Sequence, residues 1–282
     1  MPSDRVKLFN RVCLESSKLT TNLYSTSFSL GTRLFDKNTR DAIYAIYGFV
    51  RFADEIVDSF HNYNKAELLS RFKTDTFNAI KEGISLNPIL QSFQLVVNSY
   101  KIDYQLIESF LHSMEMDLNP KSYNSKLIDE YIYGSAEVVG LMCLKVFSKE
   151  DVNIYKQLYE PARKLGAAFQ KINFLRDMGE DFNELGRIYF PNIDFNNFSQ
   201  AQKEKIESEI QKDFEEALNG IKMLRNNVKL GVYVAYRYYF SLFNMIKRIP
   251  PSKLREKRYR ISNFKKTMLM VTSWACIKAK II

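Results

Sequence analysis

Residues 36–60, DKNTRDAIYAIYGFVRFADEIVDSF, decide the fold. Asp36 is an N-cap residue placed ahead of a long helical pattern. The middle of the stretch, AIYAIYGFVRFADEIVD, is apolar around most of its circumference, which is the mark of a buried helix. Four polar residues interrupt it. Tyr47, Arg51, Asp54 and Asp58 are spaced by four, three and four, so they share one stripe. Two carboxylates on a buried stripe need a partner or a wet cavity, because an unpaired buried charge is costly. Arg51 pairing with Asp54 or Asp58 is the plain structural reading, and a metal site is the other.

Residues 165–191, LGAAFQKINFLRDMGEDFNELGRIYFP, repeat the pattern. Gln170, Asn173, Asp177 and Asp181 are spaced by three, four and four among small or apolar neighbours. Two such helices facing each other would set four carboxylates across a cavity with apolar walls. That arrangement suits hard divalent cations with a diphosphate between them. The competing reading is two separate solvated faces. Its weakness is that both stripes lie on otherwise apolar helices.

The rest of the chain is helical in period nearly throughout. Asn64 with Glu67 reads as a capping box, and Asn87-Pro88 as an N-cap with a first-turn proline. Asp103, Ser125 and Ser199 read as further N-caps. Long helical patterns follow near 127–147, 150–182, 199–226, 229–247 and 262–280, with Pro161 expected to kink or divide the second of them. No Gly/Ser- or Pro-rich linker divides the 282 residues. The expectation is one all-α domain spanning residues 1–282, with about ten helices.

Composition removes several alternatives. Hydrophobic residues at 46% and charged residues at 26% exclude a disordered chain. Ten Gly and seven Pro are too few for a turn-rich β-sandwich. Three scattered cysteines and two histidines, His61 and His112, exclude a zinc site or a disulfide framework, which leaves oxygen ligands and hard ions such as Mg²⁺. Charges near the N-terminus leave no room there for the apolar stretch of a signal peptide, so a cytoplasmic location is expected.

Charge is uneven. Residues 247–282 hold eleven Lys/Arg and one acid, Glu256, a net of +10, which leaves −1 for residues 1–246. A basic stretch followed by apolar TMLMVTSWACIKAKII suits the anionic inner face of a membrane. A solvated terminal helix with its apolar side in the core is the plain reading. Nucleic acid is the third candidate, but it leaves both acidic stripes unexplained, so no nucleic-acid partner is expected.

Other polar residues fit a diphosphate site. Tyr24, Ser25, Thr26 and Ser27 precede the first acidic helix and offer hydroxyl and backbone donors, or an ordinary capping turn. Arg51, Arg176 and Arg187 are candidate partners for phosphate oxygens, with a surface ion pair as the alternative for Arg187. In EYIYGSAEVVGLMCLKVF, Tyr131 precedes Gly134, Ser135, Ala136 and Gly140, small residues that leave space for a ligand or for a close-packed helix.

Taken together, these residues resemble the squalene/phytoene synthases. Asp54-Glu55-Ile56-Val57-Asp58 and the block from Asn173 to Asp181 are similar to the family's two acidic motifs. YSTSFSLGTRLF, AIYAIYGFVR, YIYGSAEVVG and GRIYFP match other family blocks in the same order, over roughly residues 20–265. The DEIVD form and the short length look more like bacterial phytoene synthases than squalene synthases. The resemblance implies a single all-α isoprenoid-synthase domain with a central cavity, and a head-to-head joining of two prenyl diphosphates. For a phytoene synthase both would be geranylgeranyl diphosphate, joined through a cyclopropylcarbinyl diphosphate. The runner-up is squalene or dehydrosqualene formation from farnesyl diphosphate, and the outlier is a non-catalytic assembly factor with the same fold. Mg²⁺, or Mn²⁺ in its place, is the implied cofactor, and no NADPH is expected for phytoene formation.

The resemblance also implies residue roles. Asp54, Asp58, Asn173, Asp177 and Asp181 would hold metal, and Gln170 would reach the substrate. Tyr24 to Ser27, Tyr47, Arg51, Arg176 and Arg187 would contact or line the diphosphate site. Tyr131 would lie near the cation and the departing proton. Tyr239, with Tyr236 or Tyr238 as alternatives of register, would reach a diphosphate. Two departures stand out. Glu137 follows Ala136 where the family often has Gly, and Thr26 stands where some members have a basic residue.

Overall fold

The computed structural model describes residues 3–118, 124–185, 189–190, 198–254 and 256–282; of Thr26, Ser27 and residues 180–185 it describes the backbone only. The described residues form thirteen α-helices and one π-helical turn, without a strand. In order these are α1 (Asp4–Tyr24), α2 (Thr26–Thr32), α3 (Lys37–Asp58), α4 (Lys65–Glu82), α5 (Pro88–Tyr100), α6 (Tyr104–Leu118) and α7 (Ser125–Ile132). The π turn (Tyr133–Glu137) follows, then α8 (Val138–Ser148), α9 (Val152–Leu185), α10 (Gln200–Met223), α11 (Asn226–Lys247), α12 (Pro251–Leu254) and α13 (Asn263–Lys278).

α3 is central, as its all-round apolarity requires. It packs against α1, α4, α5, α6 and α8 and buries Ile43, Ile46, Phe49, Ala53 and Val57. Phe49 stacks on Phe93 of α5 with centroids 3.9 Å apart and also meets Phe72 and Phe110. Each such ring contributes about 1.5–3 kcal/mol through burial. A second apolar cluster joins α9, α10 and α11 around Phe214, Leu242 and Phe243. Leu224 and Val232 touch both clusters.

Local signals account for most helix ends. The Asp36 side chain accepts the Thr39 N–H, Asn64 accepts from Glu67, and Asn87 caps the helix opened by Pro88. Ser199 and Gln202 form a reciprocal capping box. Ser125 is not a cap. The neighbouring Asn124 takes that place, accepting from Leu127 N at 2.9 Å. The Asp103 carboxylate pairs with Lys145 at 3.0 Å.

Pro161 does not divide α9, which runs unbroken for 34 residues. An interior proline gives up one backbone hydrogen bond and crowds the carbonyl four residues back, a cost α9 absorbs, and its ring also needs room against the neighbouring helix. Gly220 of α10 supplies it: a Cβ there would lie 2.2 Å from the Pro161 Cβ.

Candidate functional site

α2, α3, the π turn, α8, α9, α10 and α11 line a cavity of about 330 Å³. Its body is apolar. Phe35 and Phe147, with centroids 5.4 Å apart, lie among its lining residues together with Leu158 and Leu224. Toward the acidic helices it is lined by Tyr47 from α3, Gln170 and Asn173 from α9, and Tyr239 from α11; the hydroxyl residues Thr32 and Ser135 also line it. Along α9 the lining runs from Leu158 to Asn173, about 22 Å at 1.5 Å rise per residue. Small residues make the wall thin enough to leave this space. α9 approaches the π turn so closely that a Cβ on Gly166 would sit 2.5 Å from the Ala136 carbonyl oxygen.

The two acidic stripes converge at the polar end. On α3, Arg51 donates from Nη1 to Asp54 Oδ2 at 2.7 Å and from Nη2 to Glu55, so the plain pairing exists, with Glu55 rather than Asp58 as second partner. The Arg51 guanidinium also sits 4.5 Å over the Tyr24 ring. Burial pushes Asp54 up to about 7, and the neighbouring Asp58 adds to the rise against the pull of Arg51. On α9, Arg176 grips Asp177 with two hydrogen bonds, Nε to Oδ1 at 2.8 Å and Nη2 to Oδ2 at 2.5 Å. Burial works against the Arg176 charge, but Asp177 more than offsets it and raises the Arg176 pKa.

Two tyrosines join these halves. Burial pushes Tyr47 up to about 12, with Ser25 hydrogen-bonding to it and both Asp54 and Tyr239 opposing its ionisation. Tyr239 stacks on Phe169 with centroids 3.9 Å apart, and burial raises its pKa while Arg176 and an Asn173 hydrogen bond pull the other way. Both phenols are therefore protonated donors at neutral pH. Of the three register alternatives, Tyr239 is the one that lines the cavity.

Other expected residues fall as follows. Ser25 caps α2, accepting from Phe28 N at 3.2 Å. Thr26 and Ser27 lie in the first turn of α2, and Asp181 lies within α9; their side chains are outside the described residues, as is the whole of Arg187. Glu137 is turned to Arg163, which donates from Nε at 2.6 Å, and does not line the cavity.

Tyr131 is buried, but it stands beside the first stripe rather than in the cavity wall. Its hydroxyl donates to Asp117 Oδ2 at 2.8 Å, and its ring stacks on Tyr189. Asp117 is itself buried and adds to the rise of the Asp54 pKa. Asp117→Asn should therefore lower the Asp54 pKa. A profile of turnover against pH should show its acidic limb displaced to lower pH, and an unmoved limb would separate Asp117 from Asp54.

Asp117 and Arg258 were not singled out for this site from the sequence. A signal existed for Asp117, which continues the buried stripe Ile107, Phe110 and Met114 of α6. None existed for Arg258, one of eleven basic residues near the C-terminal end. It crosses to Asp177 and donates from Nε to Oδ1 at 2.9 Å. Part of the basic segment thus serves the acidic site instead of facing solvent.

Comparison with known proteins agrees with this geometry. The model of the squalene/phytoene synthase family matches residues 21–265. A phytoene synthase of Arthrospira platensis is 27% identical over 278 residues, covering 89% of this chain and 88% of the relative. A 4,4'-diapophytoene synthase of Staphylococcus haemolyticus is 25% identical, with 86% of this chain and 90% of the relative covered. Among solved structures, a dehydrosqualene synthase in complex with a ligand superposes with a TM-score of 0.81 at 21% identity, covering 96% of this chain and 98% of that one.

Proposed function

Because the chain belongs to the squalene/phytoene synthase family, we propose that it joins two molecules of geranylgeranyl diphosphate head to head to give phytoene. The observation that carries this reading is the cavity: a long apolar body with the phenols of Tyr47 and Tyr239 and the amides of Gln170 and Asn173 in its lining, the two phenols acted on by Asp54 and Asp177 beyond it. A prenyl diphosphate has the same polarity along its length. The extent of the α9 wall suits a twenty-carbon tail, and the similarity to phytoene synthases supports that choice over the fifteen-carbon tail.

The residues fit a hard divalent cation. Asp54, Asp58, Asn173 and Asp177 offer oxygen donors of the kind Mg²⁺ or Mn²⁺ takes. Asn173 Oδ1 is buried with no hydrogen-bond partner among the described residues. The crowding of Asp54 by Asp58 is an excess of negative charge that a dication relieves. Among the described residues no group of three acidic, His or Cys side chains is close enough to form a complete site; the Asp181 carboxylate is outside that set. Mg²⁺, when bound, takes up charge from the departing diphosphate.

The protein's own groups do the rest. Arg51, Arg176 and Arg258 are already at the acidic stripes and can turn their donors to phosphate oxygens. Tyr47 and Tyr239, protonated, donate hydrogen bonds to the same oxygens. The C1–O bond of one substrate breaks, and its allylic carbon bonds to the double bond of the second. Proton loss closes the cyclopropylcarbinyl diphosphate. A second ionisation, rearrangement and proton loss give the hydrocarbon. The apolar wall excludes water from each cation, and its aromatic faces stabilise positive charge.

The test is incubation of the purified protein with each prenyl diphosphate and Mg²⁺, with and without NADPH, followed by identification of the hydrocarbon. The expected product is a forty-carbon triene formed from geranylgeranyl diphosphate without NADPH. A thirty-carbon product formed preferentially from farnesyl diphosphate would reject the chain length, and no product from either would reject the enzyme reading. Cys143 lines the cavity on α8, one turn before Phe147. Cys143→Phe shortens the apolar body and should lower kcat/KM for geranylgeranyl diphosphate about tenfold, roughly 1.4 kcal/mol, while farnesyl diphosphate is affected less.

A further inference from the structure

α13 packs on α11, burying Leu269 and Ser273, while Arg237 of α11 donates to Thr272 Oγ1 at 2.8 Å. Its opposite side faces solvent, and that side is apolar. Phe264, Met268, Val271 and Trp274, spaced by four, three and three, form one outward stripe and are 81%, 47%, 56% and 54% exposed. A surface helix normally turns polar residues outward. Contiguous apolar exposure of this kind marks a surface that meets another apolar phase.

The surrounding charge decides which phase. Lys265 stands beside Phe264, Lys278 and Lys280 close the far end, and residues 263–282 hold no acidic residue. A second copy of the same face would bring like charges together, and a neutral apolar partner would leave them without use. An anionic bilayer satisfies both features. We propose that the outer face of α13 docks on anionic lipid, its four apolar side chains entering the boundary between headgroups and acyl chains and its lysines resting on lipid phosphates.

No described helix is long and apolar enough to cross a membrane, so α13 lies in the interface plane. The docking surface stands on the helix alone. Its use, discharge of an uncharged hydrocarbon into lipid, rests on the function proposed above. Each CH₂ kept out of water is worth about 0.8 kcal/mol, which makes release into a bilayer the favoured exit for such a product.

Trp274 is the chain's single tryptophan and reports directly on this face. With vesicles of phosphatidylcholine and phosphatidylglycerol, its emission should shift to the blue and be quenched by brominated acyl chains. High salt should weaken the binding, and vesicles of phosphatidylcholine alone should leave the emission unchanged. Val271→Asp should reduce vesicle affinity at least tenfold, and Met268→Ser should act in the same direction without a charge, with turnover in detergent preserved. Binding to vesicles with unchanged Trp274 emission would overturn the proposal. So would a blue shift without lipid that accompanies a doubling of mass in light scattering, because a second copy would then cover the face. Loss of turnover in detergent with Trp274 still entering lipid would count against the enzyme reading and not against docking.

Discussion

Asp54→Asn is expected to abolish turnover and to stabilise the metal-free protein above neutral pH. The ordinary aspartate value is 3.8, and burial beside Asp58 holds Asp54 near 7 in the fold. Between those values the folded protein carries a proton that the unfolded chain has released. Stability therefore falls as pH rises through this window and stays lower above it. The Asp54 side chain is 34% exposed, so solvent screens part of the effect. Asn keeps an oxygen for the Arg51 donor and removes the charge. Above pH 7 the metal-free variant should melt above the parent protein, each 1 kcal/mol of relief being worth about 2–4 °C. Near pH 5 the difference should be less than half of that, and it should close only below the ordinary aspartate value of 3.8. Turnover should drop by about 10³ or more, roughly 4 kcal/mol of transition-state stabilisation. Thermal scans in EDTA at both pH values, with assays at saturating Mg²⁺, check each half separately. Near-normal turnover would reject the metal role, and equal melting at high pH would reject the burial argument.

What the sequence made legible was what short-range periodicity encodes. α3 needed only the Asp36 cap, its apolar circumference and the stripe from Tyr47 to Asp58 to be placed as a buried helix bearing a polar line. The cavity-lining Gln170 and Asn173 followed from the same spacing on α9. Contacts between distant segments were not encoded that way. Pro161 reads as a kink or a division, and only the fold shows α9 running on past it, with Gly220, 59 residues later, packed against its ring. Ser125 and Asn124 are both capable caps, and only the side-chain direction of Asn124 decides between them.

The site itself divides along the same line. Asp117 belongs to the first stripe only because α6 and α7 bring Tyr131 onto it. Arg258 follows α12 without a periodic element of its own, so no spacing points it at Asp177. α13 was recognisable as a helix, but both of its sides are largely apolar, and only its packing on α11 shows which one is left to meet solvent. The alternative in which its apolar side lies wholly in the core is therefore not what the fold adopts.

Asp177→Asn removes the same chemical group as Asp54→Asn and should act on stability in the opposite direction. Asp177 accepts from Arg176 through both oxygens and from Arg258 at 2.9 Å, so its charge is matched by two guanidiniums. Arg176 is largely buried. Neutralising Asp177 leaves it without a hydrogen-bonded counter-charge among the described residues, and loss of one member of a charged hydrogen-bonded pair costs about 1–3 kcal/mol where burial is incomplete. The variant should melt several degrees below the parent at pH 8 in EDTA, at about 2–4 °C per kcal/mol. Turnover should again fall about 10³-fold. Arg258→Gln is the control. It keeps the Arg176–Asp177 pair, so its melting point should move less than that of Asp177→Asn. Two carboxylates of equal chemistry would then separate cleanly, one crowded by acids and relieved by neutralisation, the other held by arginines and destabilised by it. Melting shifts of the same sign in Asp54→Asn and Asp177→Asn would refute that division of the site.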